Sequence, residues 1–306
     1  MRLELTILGT ASGAPTRERA QGGYVLRWDD ELVLFDPGEG CQRQLLMAGI
    51  PPARISRVCI THFHGDHCQG LPGLTESHAL STDRPLVLHY HAPEAGYIDH
   101  LLSGTAIDFD RHIDHQPMVA SQAITTPRFV LSCRDLDHPE PAIGYRLEQA
   151  GAFHIEPTRA KGLGLSGEQL GELTEQGVVH QPQQTVRFED VAVYRKGTTA
   201  AFVMDTAPCE GATSLALDAD LLICESTFLE SEADLAADHG HLTAARAGLL
   251  AQDGGVGLLV LSHYSQRYDD VAAFEIEARA HFTDTIAAED LQTIIYDAKT
   301  RQLISS

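Results

Sequence analysis

The chain has 306 residues, 43% hydrophobic and 21% charged, with Lys+Arg 22 against Asp+Glu 43 and a formal net charge of −21. That balance belongs to a globular protein rather than a disordered one, and the length suits one large domain or two small ones. No run approaches the roughly 18 apolar residues of a membrane span, and the acidity opposes passive binding of a polyanion.

Residues 1–8 alternate polar and apolar and include Glu4, so they read as a strand rather than a secretory leader. Strand-like runs follow at 22–28, 31–36 and 55–60, and residues 39–48 have helical spacing closed by Gly49. Further strands are expected at 85–90, 143–147, 186–194, 200–204, 220–224 and 257–261, with helices near 93–103, 241–252 and 270–281. Two stretches break this rhythm. Residues 104–127 are polar and irregular and read as a long surface loop; residues 151–182, with Gly162, Gly164, Gly167, Gly171 and Gly177, read as a loop or arm leaving the core. Nothing repeats at a fixed period and no linker divides the chain. The expectation is one α/β domain over 1–306, two sheets flanked by helices, with an arm inserted at about 151–182. Cys41, Cys59, Cys68, Cys133, Cys209 and Cys224 are scattered with no Cys-x-x-Cys pair, which points to a reducing compartment and a cytoplasmic protein.

The densest chemistry is Thr61-His62-Phe63-His64-Gly65-Asp66-His67, directly after the apolar run Arg57-Val58-Cys59-Ile60. Residues two apart in an extended chain point the same way, so His62 and His64 can grip one metal as a strand ends. Gly65 permits a sharp turn, after which Asp66 and His67 offer a carboxylate and an imidazole to a neighbouring site. Imidazole with carboxylate suits zinc, with manganese or iron also possible. The bland alternative is a histidine-rich surface loop, since 16 His in the chain make a stray pair easy to find. A cluster this dense at a strand end is a different matter.

A dinuclear site needs more ligands. His138 precedes the strand Ile143-Gly144-Tyr145-Arg146-Leu147, Asp205 ends the run Phe202-Val203-Met204, and His263 ends Leu258-Leu259-Val260-Leu261-Ser262. Singly, each reads better as a core or loop residue; with the first motif they make a ligand set sized for two metals. His89, His91, His100, His112 and His115 fit no ligand spacing and read as solvated loop residues.

These motifs resemble those of the metallo-β-lactamase fold, an αββα sandwich. Together with Leu8-Gly9-Thr10-Ala11-Ser12-Gly13, Phe35-Asp36-Pro37-Gly38, Gly70-Leu71-Pro72-Gly73-Leu74, Asp205-Thr206-Ala207-Pro208-Cys209-Glu210 and Ser262-His263-Tyr264-Ser265-Gln266-Arg267-Tyr268, the chain more narrowly resembles ribonuclease Z, the tRNA 3′-processing endonucleases. The resemblance implies that His62, His64 and His138 hold one zinc, that Asp66, His67 and His263 hold the other, and that Asp205 bridges them. Two metals about 3.5–4 Å apart activate water and stabilise both oxygens of an in-line phosphoryl displacement. Asp66 would orient that water and accept its proton, while Glu225 would polarise His241 as the general acid. His239 or His241 could instead merely cap the helix beginning near Thr243.

Arg17 and Arg19, in the loop implied to receive the acceptor end, and Arg267 become candidate substrate contacts; an exposed charged turn is the alternative for the first two. The chain departs from the family pattern at Cys224, where His is usual, and at Ala20, where Asn is usual. In the arm, Arg159 and Lys161 stand against Glu156, Glu168, Glu172 and Glu175, an acidic balance that should repel RNA. The expected function is a zinc-dependent phosphodiesterase that removes 3′ trailers from tRNA precursors, as a homodimer by resemblance. A paralogue acting on a cyclic nucleotide or short RNA, or a thioesterase or lactonase on the same scaffold, are the alternatives.

Overall fold

The computed structural model describes residues 2–104, 109 and 111–305. It divides into two compact units, Met1–Glu148 with Thr199–Ser306, and Gln149–Thr198. Among the described residues no helix is long and apolar enough to cross a membrane.

The first unit holds two sheets. One runs, edge to edge, Gln302–Ser305, Thr293–Asp297, Arg2–Gly9, Gly23–Trp28, Glu31–Phe35, Arg57–Cys59, Leu86–His89 and Ile113–His115. It is antiparallel up to Glu31–Phe35 and parallel beyond it. The other runs Thr285–Ala287, Leu258–Ser262, Leu221–Glu225, Thr199–Val203, Ala142–Glu148, Val130–Leu136 and Ala123–Thr125, with the first four strands parallel. Alternation along each strand sends one set of side chains between the sheets and the other under helices. Tyr24, Phe35, Tyr145 and Phe202 meet between the sheets, with Phe35 stacked on Phe202 at 4.6 Å. On one outer face Leu34, Val58 and Leu88 pack under Cys41–Met47, Leu71–Ala79 and Ala95–Leu102. On the other, Val203, Leu222 and Leu261 pack under Glu210–Ala216, Ala244–Gly254 and Ala272–Arg279. The layers are therefore helix, sheet, sheet, helix. Parallel strands end together on one rim, and ligands in open α/β sheets bind at such carboxyl ends.

Several expectations need correction. The segment 104–127 is not one loop: it carries the strands Ile113–His115 and Ala123–Thr125 and buries Phe109 and Met118, while 105–108 and 110 lie outside the described residues. The strand expected at 186–194 is instead Thr185–Arg187, the helical turn Phe188–Val191, and Ala192–Arg195.

The second unit extends beyond the expected arm, from Gln149 to Thr198. Ala152–Ile155 pairs with Ala192–Arg195, and Val178–His180 pairs with Thr185–Arg187. Helices Pro157–Gly162 and Gly167–Gln176 lie between them in sequence, the second opened by a Ser166–Gln169 capping box and closed by Gly177 at φ 76°. Ala160, Leu173, Val179, Val186 and Val191 make its own small core. Drawn to these bounds, Arg187, Arg195 and Lys196 join Arg159 and Lys161 against Glu156, Glu168, Glu172, Glu175, Glu189 and Asp190. The unit is close to neutral, and nearly all the negative charge belongs to the first unit.

Candidate metal centre

Every candidate ligand sits at or just past a strand end. His62 follows Arg57–Cys59, and His64 opens the single helical turn Gly65–Cys68 that carries Asp66 and His67. His138 follows Val130–Leu136, Asp205 follows Thr199–Val203, and His263 follows Leu258–Ser262. Gly65 lies inside the helical turn and does not take a positive φ. The left-handed backbone falls instead on Asp36 (φ 49°), Asp205 (φ 40°) and His263 (φ 62°). A side-chain-bearing residue held there costs about 1 kcal/mol or more, a cost that clusters at functional sites.

Four of the five candidate-ligand imidazoles have Nδ1 tied down by an oxygen. His62 Nδ1 lies 3.1 Å from Thr61 Oγ1, His67 Nδ1 2.9 Å from Asp36 Oδ2, His138 Nδ1 3.1 Å from the Gly240 carbonyl, and His263 Nδ1 3.0 Å from Thr227 Oγ1. An acceptor at Nδ1 keeps the proton there and leaves Nε2 as a bare donor for a metal. His64 is turned the other way, its Nδ1 2.9 Å from His62 Nε2 and 3.4 Å from His138 Nε2.

Asp36 is the residue that sequence reasoning missed. It is fully buried; Oδ1 accepts the Thr61 N–H and Oδ2 the Thr61 hydroxyl, both at 2.8 Å, besides orienting His67. A lone Asp after a strand looks like a turn residue, and only its place inside Phe35-Asp36-Pro37-Gly38 hinted at more. Asp36→Asn removes the charge behind His67 and Thr61, so metal affinity should fall about 10–100-fold. Competition against a chromogenic chelator reads this directly, and unchanged affinity would contradict the orienting role.

Donor atoms of His62, His64, His138 and Asp205 lie within 4.8 Å of one another, as do those of Asp66, His67 and His263. Asp205 faces both groups. Its Oδ2 is 3.7 Å from His62 Nε2 and 3.9 Å from His138 Nε2; its Oδ1 is 3.4 Å from His67 Nε2 and 3.2 Å from His263 Nε2. Ligands about 2.1 Å from a tetrahedral centre stand about 3.4 Å apart. His67 Nε2, His263 Nε2 and Asp205 Oδ1 are buried without a hydrogen-bond partner, which costs roughly 1–3 kcal/mol each. A cation between them would satisfy all three. Burial opposes charge on His67, yet the carboxylates of Asp205, Asp66 and Asp36 hold its pKa well above the ordinary value. The residues fit a divalent metal.

Beside this cluster, Glu225 is fully buried and accepts from the Thr206 N–H at 2.7 Å and the Thr227 hydroxyl at 2.6 Å. His241 Nδ1 lies 3.0 Å from Glu225 Oε1. Burial pulls the His241 pKa down, but the adjacent Glu225 carboxylate, by charge and by hydrogen bond, lifts it to about 9. Its ring stands 5.2 Å from that of His138 and 5.7 Å from that of His263. Its donors also group with those of Asp205 and His263, though Glu225 holds Nδ1. The helix cap belongs to Thr243, whose side chain accepts from Arg246 N. Cys224 points the other way, into the apolar layer under the helices, so that departure does not enter the site.

The arginines divide. Arg19 is buried, and its guanidinium donates to the Ser265 and Tyr268 carbonyls at 3.2 and 2.7 Å; it ties two loops together and is not a free phosphate contact. Arg17 is exposed. Arg267 pairs with Glu232 at 3.1 Å and lies over the Phe228 ring, which neighbours His241. His89 is a further correction: it is fully buried, bound to Arg57 and near the Gln116 carbonyl, rather than solvated.

Fold and site together define a metal-dependent hydrolase of the metallo-β-lactamase superfamily, whose family profile matches residues 22–128. The fold is shared with the metallo-beta-lactamase fold protein YhfI of Bacillus subtilis (TM-score 0.71, 18% identity, 96% of this chain and 99% of that one). It is shared too with the short form of human tRNase Z (TM-score 0.68, 24% identity, 95% and 98%). Ribonuclease Z of Salinispora arenicola is 46% identical over 296 residues, 95% of each chain, and that of Streptomyces avermitilis 46% identical over 281 residues, 90% of this chain and 91% of that one. The chain belongs to the ribonuclease Z family.

Proposed function

We propose that this protein cuts 3′ trailers from tRNA precursors endonucleolytically, leaving a 3′-hydroxyl on the tRNA and a 5′-phosphate on the trailer. The observation that carries the reading is the Glu225–His241 pair beside the seven clustered ligands. A ribose oxygen is a poor leaving group that needs a proton, whereas thioesters and activated lactones have less use for one. His62, His64 and His138 would hold one zinc ion and Asp66, His67 and His263 the other, with Asp205 between. Such ions supply an activated water and neutralise charge on the phosphoryl oxygens.

The chain's own groups do the rest. Asp66, anchored by the Gly13 N–H at 2.6 Å, orients the water and accepts its proton. Glu225 holds the Nδ1 proton of His241, so the charged ring offers its Nε2 proton to the departing O3′. The Gly13 bond also pins the start of the loop toward a groove of about 410 Å³ lined by Arg17, Arg43 and Met47, and Arg17 and Arg267 are the substrate contacts in this reading. The unit Gln149–Thr198 is the arm, its near-neutral charge less hostile to RNA than the rest. The homodimer rests on resemblance to the family, with exposed Leu46, Met47 and Leu80 as candidate contacts. Six free cysteines support a cytoplasmic home.

The strong negative charge of the first unit favours one second reading, a smaller phosphodiester such as a cyclic nucleotide or short RNA. Rates on a 3′-extended tRNA precursor, a cyclic nucleotide and a lactone separate the readings. The precursor should have the highest kcat/KM; a preference for the lactone would overturn the phosphodiesterase reading itself.

A further inference from the structure

The net charge leaves a question: what holds RNA against so acidic a surface? Arg17 and Arg267 answer for part of the site, but the segment 85–104, which packs against Phe63, contains no Lys or Arg to pair with a phosphate. Phe63 stands between the ligands His62 and His64, its Cα about 3.8 Å from each of theirs. Its ring is stacked with that of Tyr97 at 5.5 Å and 26°. Beneath, Phe63 meets the edge of buried Tyr90 at 6.3 Å, and Tyr90 meets His115 at 6.0 Å. Tyr97 belongs to the helix Ala95–Leu102, anchored by buried Ile98 and Leu102. Phe63 supports it from one side, yet Tyr97 remains 53% exposed. Tyr97 thus offers water a large aromatic ring stacked on a second one, itself one residue from two metal-ligand candidates.

We propose that Tyr97, backed by Phe63, is a stacking platform for an unpaired base flanking the scissile phosphate. Base–aromatic stacking is sequence-tolerant and needs no positive charge, so it can secure a strand where phosphate pairing is absent. The proposal rests on the phosphodiester reading above. It makes Tyr97 a positioning residue, not a catalytic one.

The test uses metal-loaded protein mixed in excess with tRNA precursors carrying 2-aminopurine at the discriminator or at the first or second trailer nucleotide. Wild-type protein should quench one of these probes on binding, before cleavage. Tyr97→Ala should lose that quench and raise KM for the precursor about ten-fold, with kcat little altered, the scale of one lost stack. Tyr97→Trp should restore both. Equal quenching and equal KM in wild type and Tyr97→Ala would overturn the platform while leaving tRNA cleavage standing. Failure of wild type to bind or cut any precursor would overturn the substrate reading, and the platform with it.

Discussion

Asp205→Asn and Asp205→Ala should each lose bound metal and lower phosphodiester turnover by about 10³-fold or more, the scale of removing preorganised charge at a two-metal site. Among the described residues Asp205 is the only carboxylate whose two oxygens face different ligand groups, His62 and His138 on one side and His67 and His263 on the other. Removing its charge leaves the imidazoles of both groups without the one carboxylate they share, and Asp66 alone to balance the charge of two cations. The Asn variant matters because it tolerates the left-handed backbone (φ 40°) that Ala resists. Metal content after desalting, read with kcat, gives the result. Two equivalents of metal retained in the Asn variant would show that Asp205 does not bridge.

The second large effect is on proton donation. His241→Ala should keep its metals yet lose about 10²–10⁴-fold in kcat on RNA, with a much smaller loss on an aryl phosphodiester whose leaving group needs no proton. The pH profile gives the sign. A general acid works protonated, so activity holds below the His241 pKa of about 9 and falls as pH rises through it. Glu225→Gln removes the charge that raises that pKa and should move the alkaline limb downward. An unmoved limb in Glu225→Gln, or full RNA cleavage by His241→Ala, would contradict the relay.

The site was more legible than the scaffold around it, for physical reasons. Four of the donors share one short stretch, so His62, His64, Asp66 and His67 announce themselves. Asp205 and His263 could be read because apolar runs end just before them. Asp36 could not, since its work is done through Thr61 and His67 across a tertiary contact. Arg19 looked like a phosphate contact because sequence shows its charge but not the Ser265 and Tyr268 carbonyls waiting for it. The strand Val130–Leu136 carried a usable signal, Leu131 and Cys133 inward against Ser132 and Arg134, which the polar Asp135 and Arg134 obscured. In the unit Gln149–Thr198 glycines dilute the helical period, although Ser166 and Gln169 mark a helix start. The charge balance of this region depends on its bounds: the unit Gln149–Thr198 takes in Arg187, Arg195 and Lys196, which lie beyond residues 151–182.

One measurement bears most directly on the central claim, that this cluster serves tRNA 3′ maturation. A 3′-extended tRNA precursor is incubated with metal-loaded protein and both product ends are mapped at single-nucleotide resolution. One cut beside the discriminator base is expected, with a 3′-hydroxyl on the tRNA and a 5′-phosphate on the trailer. An intact precursor, alongside brisk hydrolysis of a small phosphodiester by the same preparation, would contradict it.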